Sequence, residues 1–180
     1  MDYKLVEKFL TRLRVQRFSE NTIENYKSQL IYFLKISNQY KPEDITDNQL
    51  EKFIIWLVNE KNIGQSYQKA MLATLKKFYK EIFNREVNLS HLYPKRKENK
   101  LPKFLTQNEI KKIIDITENL KHKTIITTIY SCGLRLSELL ELKIFDVKSE
   151  QDCIVIRQSK GNKDRIVMLS PKLLDLLREY

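Results

Sequence analysis

The chain has 180 residues, a formal net charge of +10 at pH 7 and a pI near 9.5. Its 42% hydrophobic and 10% aromatic content excludes a disordered chain, and no apolar run reaches the ~20 residues of a membrane span. The basic excess favours a polyanionic partner, of which nucleic acid is the commonest.

The N-terminal half carries four amphipathic helical patterns joined by short connections. Apolar residues recur at helical spacing in residues 2–16, 18–37, 44–60 and about 65–83. Ser19 is a candidate N-cap, and Thr46 with Gln49 has the spacing of a capping box. These patterns predict a mainly α protein that begins with a small four-helix bundle over residues 1–90.

A basic stretch, residues 91–103, separates this bundle from the rest of the chain. It has no apolar period and contains Pro94 and Pro102, which predicts an extended linker. Its sequence KRKENKLPK holds one acidic residue and five basic ones: Lys95, Arg96, Lys97, Lys100 and Lys103. Charged linkers are often simply solvated, but a basic run between two folded segments is also placed to grip a DNA duplex.

The remaining residues, 104–180, pass from helical to β-branched patterns. Residues 123–132 form an apolar helical segment, and the runs DCIVIRQS and RIVML, joined by KGNKD, predict a β-hairpin. Local signals mark helix ends, namely the capping-box pair Thr106 and Glu109, a C-cap glycine at Gly133, and Ser170 followed by Pro171. We therefore predict a second domain of α+β type with a small sheet.

A row of lysines lies opposite the apolar stripe of the fourth predicted helix. Lys69, Lys76 and Lys80 share this face, because successive residues of a helix are about 100° apart. Such a row could follow a DNA backbone, each ammonium displacing condensed counterions. Lysines opposite a core stripe are equally the ordinary surface of a soluble helix, and the sequence leaves both interpretations open.

The segment SCGLRLSELLEL places one arginine, Arg135, among leucines and one turn before Glu138. A guanidinium matches two phosphate oxygens in geometry, and a carboxylate one turn away could hold it in place. The same two residues could instead form a structural ion pair with no ligand.

The predicted hairpin tip carries Lys160, Lys163 and Arg165 around a glycine. A basic tip can enter a DNA groove, and a lysine there could protonate a leaving oxygen, although the same residues also make an ordinary solubilising turn. The two cysteines and the two histidines lack metal-ligand spacing, and no nucleotide-binding fingerprint is present. We expect no metal and no cofactor.

Taken together, these segments resemble the tyrosine recombinase (phage integrase) family across nearly the whole chain. SENTIENYKSQLIYFL and SYQKAMLATLKKFYKEI resemble its SAM-like core-binding domain, and LPKFLTQNEIKKII resembles the start of its catalytic domain. GLRLSELLEL and SKGNKDRIVML, in that order and spacing, are the more specific signals. The resemblance implies that Arg135 binds the scissile phosphate, that Glu138 supports it, and that Lys160 acts as the general acid.

The resemblance also implies which parts of the active site are absent from this sequence. The family joins DNA strands through a 3′-phosphotyrosine, using a His-x-x-Arg motif, a later His or Trp and a nucleophilic Tyr. Neither histidine here has Arg three positions later, and Tyr180 comes too early to be that nucleophile. We therefore expect a truncated catalytic domain that binds DNA and does not cleave it alone.

The partners expected from the resemblance are double-stranded DNA and other recombinase subunits, since the family acts as a tetramer. No membrane partner is expected. A cytoplasmic, nucleoid-associated protein with reduced cysteines is expected. Two alternatives remain at this point. The chain could be a catalytically dead DNA-binding or regulatory module of the family, or an unrelated basic helical repressor in which Arg135 and Glu138 are structural.

Overall fold

The computed structural model describes residues 3–95, 101, 103–159 and 163–180. It contains two compact units, residues 1–100 and 101–180, and the division falls inside the stretch predicted as a linker. The described residues are mainly helical with one small antiparallel sheet, which confirms the predicted fold class. The finer domain limits, at residues 90 and 104, stay predictions.

The first unit is a four-helix bundle whose helix starts are fixed by local hydrogen bonds. Its helices are α1 (Tyr3–Val15), α2 (Glu20–Ile36), α3 (Asp47–Asn59) and α4 (Gln65–Phe83). The Ser19 hydroxyl accepts the N–H of Thr22, and Thr46 and Gln49 form the reciprocal capping box. Both predicted caps are thereby confirmed.

The core of the first unit is built from aromatic and aliphatic side chains of all four helices. A single cluster contains 19 buried apolar residues. Within it, Phe9 of α1 meets Phe78 of α4 edge to face, with ring centres 5.6 Å apart. The Thr74 hydroxyl donates to the amide oxygen of Gln29, which gives each of these buried polar side chains a partner.

The second unit combines short helices with a three-stranded sheet. The helices are α5 (Gln107–Ile116), α6 (Leu120–Cys132), α7 (Leu136–Glu141) and α8 (Pro171–Glu179), and the strands are β1 (Val147–Lys148), β2 (Cys153–Ser159) and β3 (Lys163–Met168). The order is β1-β2-β3, with both neighbouring pairs antiparallel. The predicted hairpin is therefore confirmed, as are the caps at Thr106, Gly133 and Ser170. Strand β1 was not predicted, because two residues are too few to show a β period.

The core of the second unit is smaller than that of the first. Its cluster of buried apolar residues has six members, drawn from α6, the α6–α7 turn, β2 and the α8 region. Several large apolar side chains of this unit are exposed instead, among them Ile144, Ile166 and Met168. Within the described part of the chain, no helix is both long and apolar enough to cross a membrane.

Candidate functional site

A glycine-containing turn between α6 and α7 sets the position of Arg135. Gly133 ends α6 in the left-handed conformation, with φ of 58°, and its N–H donates to the carbonyl of Ile129. Glycine adopts this conformation without the steric cost that a Cβ brings. Arg135 follows as the extended N-cap residue of α7, so its side chain leaves the chain where the two helices meet.

The carboxylate of Glu138 holds Arg135 by two different groups. Glu138 Oε1 accepts from Arg135 Nη1 at 2.6 Å, and Oε2 accepts from the Arg135 backbone N–H at 2.7 Å. The Glu138 side chain is only 4% exposed, whereas that of Arg135 is 55% exposed. The buried acid thus fixes a guanidinium that solvent, or a phosphate, can reach. The structure shows the ion pair that the sequence suggested, and the phosphate-binding role of Arg135 stays a prediction.

A second arginine binds the same carboxylate from the sheet. Arg165 of β3 donates through Nη2 to Glu138 Oε2 at 2.8 Å and to the carbonyl oxygen of Gly133 at 3.0 Å. The Arg165 side chain is 38% exposed, so most of its surface is buried. The sequence suggested Arg165 as a DNA contact, and it gave no sign of the bond to Glu138, 27 residues away.

A separate arginine–carboxylate pair lies in the same unit. Asp146, which is buried, accepts from Arg157 Nε at 2.7 Å and from the Lys143 backbone N–H at 3.2 Å. The hydrogen bond from Arg157 is the main cause that lowers the pKa of Asp146, and the same bond raises the pKa of Arg157. Sequence reasoning missed this pair, because Arg157 and Asp146 are 11 residues apart and meet only when strand β2 is in place.

The lysine face of α4 borders an open groove on the first unit. Lys76 and Lys80 line this groove of about 680 Å³ together with Lys77, Tyr26 and Tyr93. Lys80 lies 3.4 Å from Glu86. The third lysine predicted on this face, Lys69, is half-buried nearer the start of the helix. The groove therefore joins two of the three predicted lysines and adds Lys77, which sequence periodicity had not singled out.

The structure describes only some of the remaining predicted site residues. Lys95 and Lys103 are both exposed, each in its own unit. Arg96, Lys97, Lys100 and Lys160 lie outside the described residues, as does the side chain of Lys163, whose backbone begins β3. The predicted roles of these residues stay predictions.

The histidines have local roles in this structure. His91 Nε2 lies 3.2 Å from a carboxylate oxygen of Glu51, and the His122 backbone N–H donates to the side chain of Asn119, the N-cap of α6. Across the described residues, no three His, Cys, Asp or Glu side chains come together in a way that could hold a metal ion.

Comparison with known proteins gives this geometry a context. Residues 103–180 match the phage integrase family, and residues 5–89 match the N-terminal SAM-like domain of phage integrases. The tyrosine recombinase XerA of Pyrococcus horikoshii is 34% identical over 178 residues, which make up 98% of this chain and 59% of that protein. The chain belongs to the tyrosine recombinase family.

Solved recombinase structures share the fold of this chain. XerH in a post-cleavage complex with a palindromic difH substrate is 25% identical, with a TM-score of 0.67 over 87% of this chain and 51% of XerH. A lambda integrase tetramer bound to a Holliday junction is 18% identical, with a TM-score of 0.70 over 98% of this chain and 53% of the integrase. The chain spans about half to two thirds of the length of the curated relatives it matches.

Membership of the recombinase family excludes one of the two alternatives left open by the sequence. An unrelated basic repressor is excluded, because both halves of the chain match recombinase domains. The motif GLRLSELLEL, on which the resemblance largely depended, forms the α6–α7 turn and α7, which carry Arg135 and Glu138 respectively.

Proposed function

We propose that this protein takes part in site-specific DNA recombination, and that residues 1–180 supply its duplex-binding surface and part of its phosphate-binding site. Arg135 would bind the scissile phosphate, with Glu138 holding the guanidinium in place. Lys160 would serve as the general acid toward the departing 5′ oxygen. A fixed guanidinium can supply part of the charge stabilisation that metal ions give other phosphoryl-transfer enzymes.

The observation that carries this proposal is the guanidinium of Arg135, which a buried carboxylate fixes within the motif that resembles the family's phosphate-binding segment. Glu138 is buried and both of its carboxylate oxygens accept hydrogen bonds, whereas more than half of the Arg135 side chain is exposed. The Arg157–Asp146 pair has the same contrast in exposure, 54% against 5%, so the position of Arg135 in GLRLSELLEL, and not exposure alone, distinguishes the two pairs. A fixed guanidinium that faces outward is suited to binding a phosphate.

Basic residues of each unit fit a nucleic-acid partner. Lys76 and Lys80 line a groove on the first unit, and Lys69, Lys95 and Lys103 add positive charge that can displace counterions from a duplex. The XerH and lambda integrase structures contain DNA, and the latter is a tetramer. We propose by analogy that the whole protein acts on double-stranded DNA together with further copies of itself.

Duplex affinity measured at several salt concentrations tests the phosphate contact. The logarithm of the affinity should fall steeply with the logarithm of salt concentration, and Arg135→Ala should reduce that slope by about 0.9, the value for one phosphate contact. Arg178→Ala is the matched control, because Arg178 pairs with Asp175 at the same spacing on α8 of the same unit. A flat salt response, or equal effects of the two substitutions, would refute the proposal.

A nicked duplex that traps covalent intermediates tests the limit of the activity. We propose that the 180-residue chain binds this substrate without forming a covalent complex, because its histidines and Tyr180 do not fit the family's remaining catalytic positions. A covalent protein–DNA band on a denaturing gel would contradict this. The coding DNA beyond codon 180 separates a non-cleaving module from part of a longer recombinase, since only the latter would encode His-x-x-Arg and a later Tyr in frame.

A further inference from the structure

We infer that Arg165 is a positioning residue, which orients the phosphate-binding guanidinium of Arg135 by fixing the carboxylate of Glu138. This inference rests on the proposed function of Arg135. It assigns to Arg165 a role distinct from the direct DNA contact suggested by its place near the hairpin tip.

The geometry supports an indirect role. Glu138 Oε2 receives Nη2 of Arg165 at 2.8 Å and the backbone N–H of Arg135 at 2.7 Å, while Oε1 receives Nη1 of Arg135 at 2.6 Å. Hydrogen bonds to both oxygens fix the plane of a carboxylate as well as its position. Without Arg165, Glu138 would lose a donor from strand β3 and could rotate with the Arg135 side chain.

Arg165 also ties the sheet to the turn that carries Arg135. The same Nη2 donates to the carbonyl of Gly133 at 3.0 Å, and Arg165 is paired with Ile156 in the β2–β3 register. One guanidinium thus joins β3, the end of α6 and the first turn of α7. Catalytic groups need to be held within about 0.5 Å of their productive geometry, and a cross-link between three elements provides that restraint.

The cost of the arrangement argues against a purely stabilising role. Arg165 Nε is buried and has no hydrogen-bond partner within the described part of the chain. A buried donor without a partner lowers stability. The guanidinium therefore sits where it serves Glu138 and Gly133, rather than where all of its own donors are satisfied.

A double-mutant cycle on duplex binding by the full chain tests the inference. Arg165→Gln should weaken duplex binding about three- to tenfold at low salt, the loss expected when one charge-assisted contact is disturbed. In the Arg135→Ala background the same substitution should cost less than about twofold, because its effect passes through Arg135. If Arg165 contacts DNA directly, Arg165→Gln would reduce duplex affinity by the same factor in both backgrounds, and the inference would be wrong.

Arg157→Gln is the matched control for charge and stability. Arg157 lies on the neighbouring strand β2 and also pairs with a buried carboxylate, but its partner is Asp146. Arg157→Gln removes the same charge from the same sheet, but it leaves Glu138 and Arg135 untouched. Duplex affinity should therefore stay within about twofold of the parent. Equal losses from Arg157→Gln and Arg165→Gln would show a general effect of charge or stability and would overturn the inference.

Two further outcomes keep the test decisive. If Arg165→Gln does not fold, Arg165→Lys in the same two backgrounds replaces it, and its loss must likewise disappear when Arg135 is Ala. If Arg135→Ala itself leaves binding unchanged, the proposed function fails. If Arg135→Ala weakens binding and neither Arg165 variant does, the inference about Arg165 alone fails.

Discussion

Replacing Glu138 by glutamine should destabilise the second unit and weaken duplex binding at the same time. Glutamine keeps the shape of the side chain and one acceptor oxygen, but its NH₂ group would face arginine donors. At least one hydrogen bond to a charged partner is lost, worth about 1.5–3 kcal/mol. The Arg135 and Arg165 side chains are 55% and 38% exposed, so water can resolvate them.

The expected destabilisation is therefore about 2 kcal/mol, below the 3–5 kcal/mol typical of breaking a fully buried pair. Amide hydrogen exchange is the appropriate assay, because it reports α6 and α7 separately from the first unit. Protection of the slowest amides in these helices should fall by about thirtyfold, and protection in α1–α4 should stay the same. Duplex affinity, measured at a temperature where the variant is folded, should fall as it does in Arg135→Ala.

Asp146→Asn is the control that separates stability from binding. Asp146 is also buried, also bonded to an arginine and also bonded to a backbone N–H three residues before it. Its replacement should reduce protection in the second unit and leave duplex affinity unchanged. Destabilisation by Glu138→Gln of less than about 0.5 kcal/mol would refute the argument from burial. Equal losses of duplex affinity in both variants would refute the argument for a specific site.

Three further predictions concern stability. Thr74→Val should cost about 1–3 kcal/mol in urea unfolding, because it leaves the Gln29 amide oxygen buried without a donor, and adding Gln29→Leu should recover most of that loss. Partial burial raises the pKa of Asp47, but the hydrogen bond and charge of Arg85 lower it overall. Its stabilisation should be complete above the unfolded pKa of about 3.9 and should vanish as pH falls through the lower folded pKa. In acid titrations, the stabilities of the parent and Asp47→Asn should therefore begin to converge near pH 4 and meet only below the folded pKa of Asp47. The second unit, with six buried apolar residues against 19, should exchange its amides faster than the first.

The parts of the fold that sequence reasoning predicted are those fixed by neighbours in the chain. The caps at Ser19, Thr46 and Thr106 each involve a side chain and a backbone group three residues apart. The C-cap at Gly133 depends on one backbone conformation that glycine adopts readily. These interactions form in the same way whatever the tertiary structure, which is why local patterns were sufficient to predict them.

The links that complete the candidate site could not be predicted, because they depend on strand register. Strand β3 reads as an amphipathic run, yet Ile166 and Met168 are 71% and 79% exposed, while Arg165 bonds to a buried acid. A simple alternation rule would have placed the apolar residues inward and the arginine outward. The inversion is visible only when the position of Glu138 relative to the sheet is known.

Two buried ion pairs explain how a unit with a small core can hold its site in place. Both buried acids of the second unit, Glu138 and Asp146, accept a backbone N–H three residues earlier and an arginine from the sheet. Buried ion pairs of this kind add little net stability compared with apolar packing, but they have only one satisfactory geometry. Site geometry should therefore depend on these buried pairs more than on the size of the apolar core. Apolar substitutions in the core should lower its unfolding free energy, and substitutions of Arg165 or Glu138 should change the orientation of Arg135 even where the fold survives.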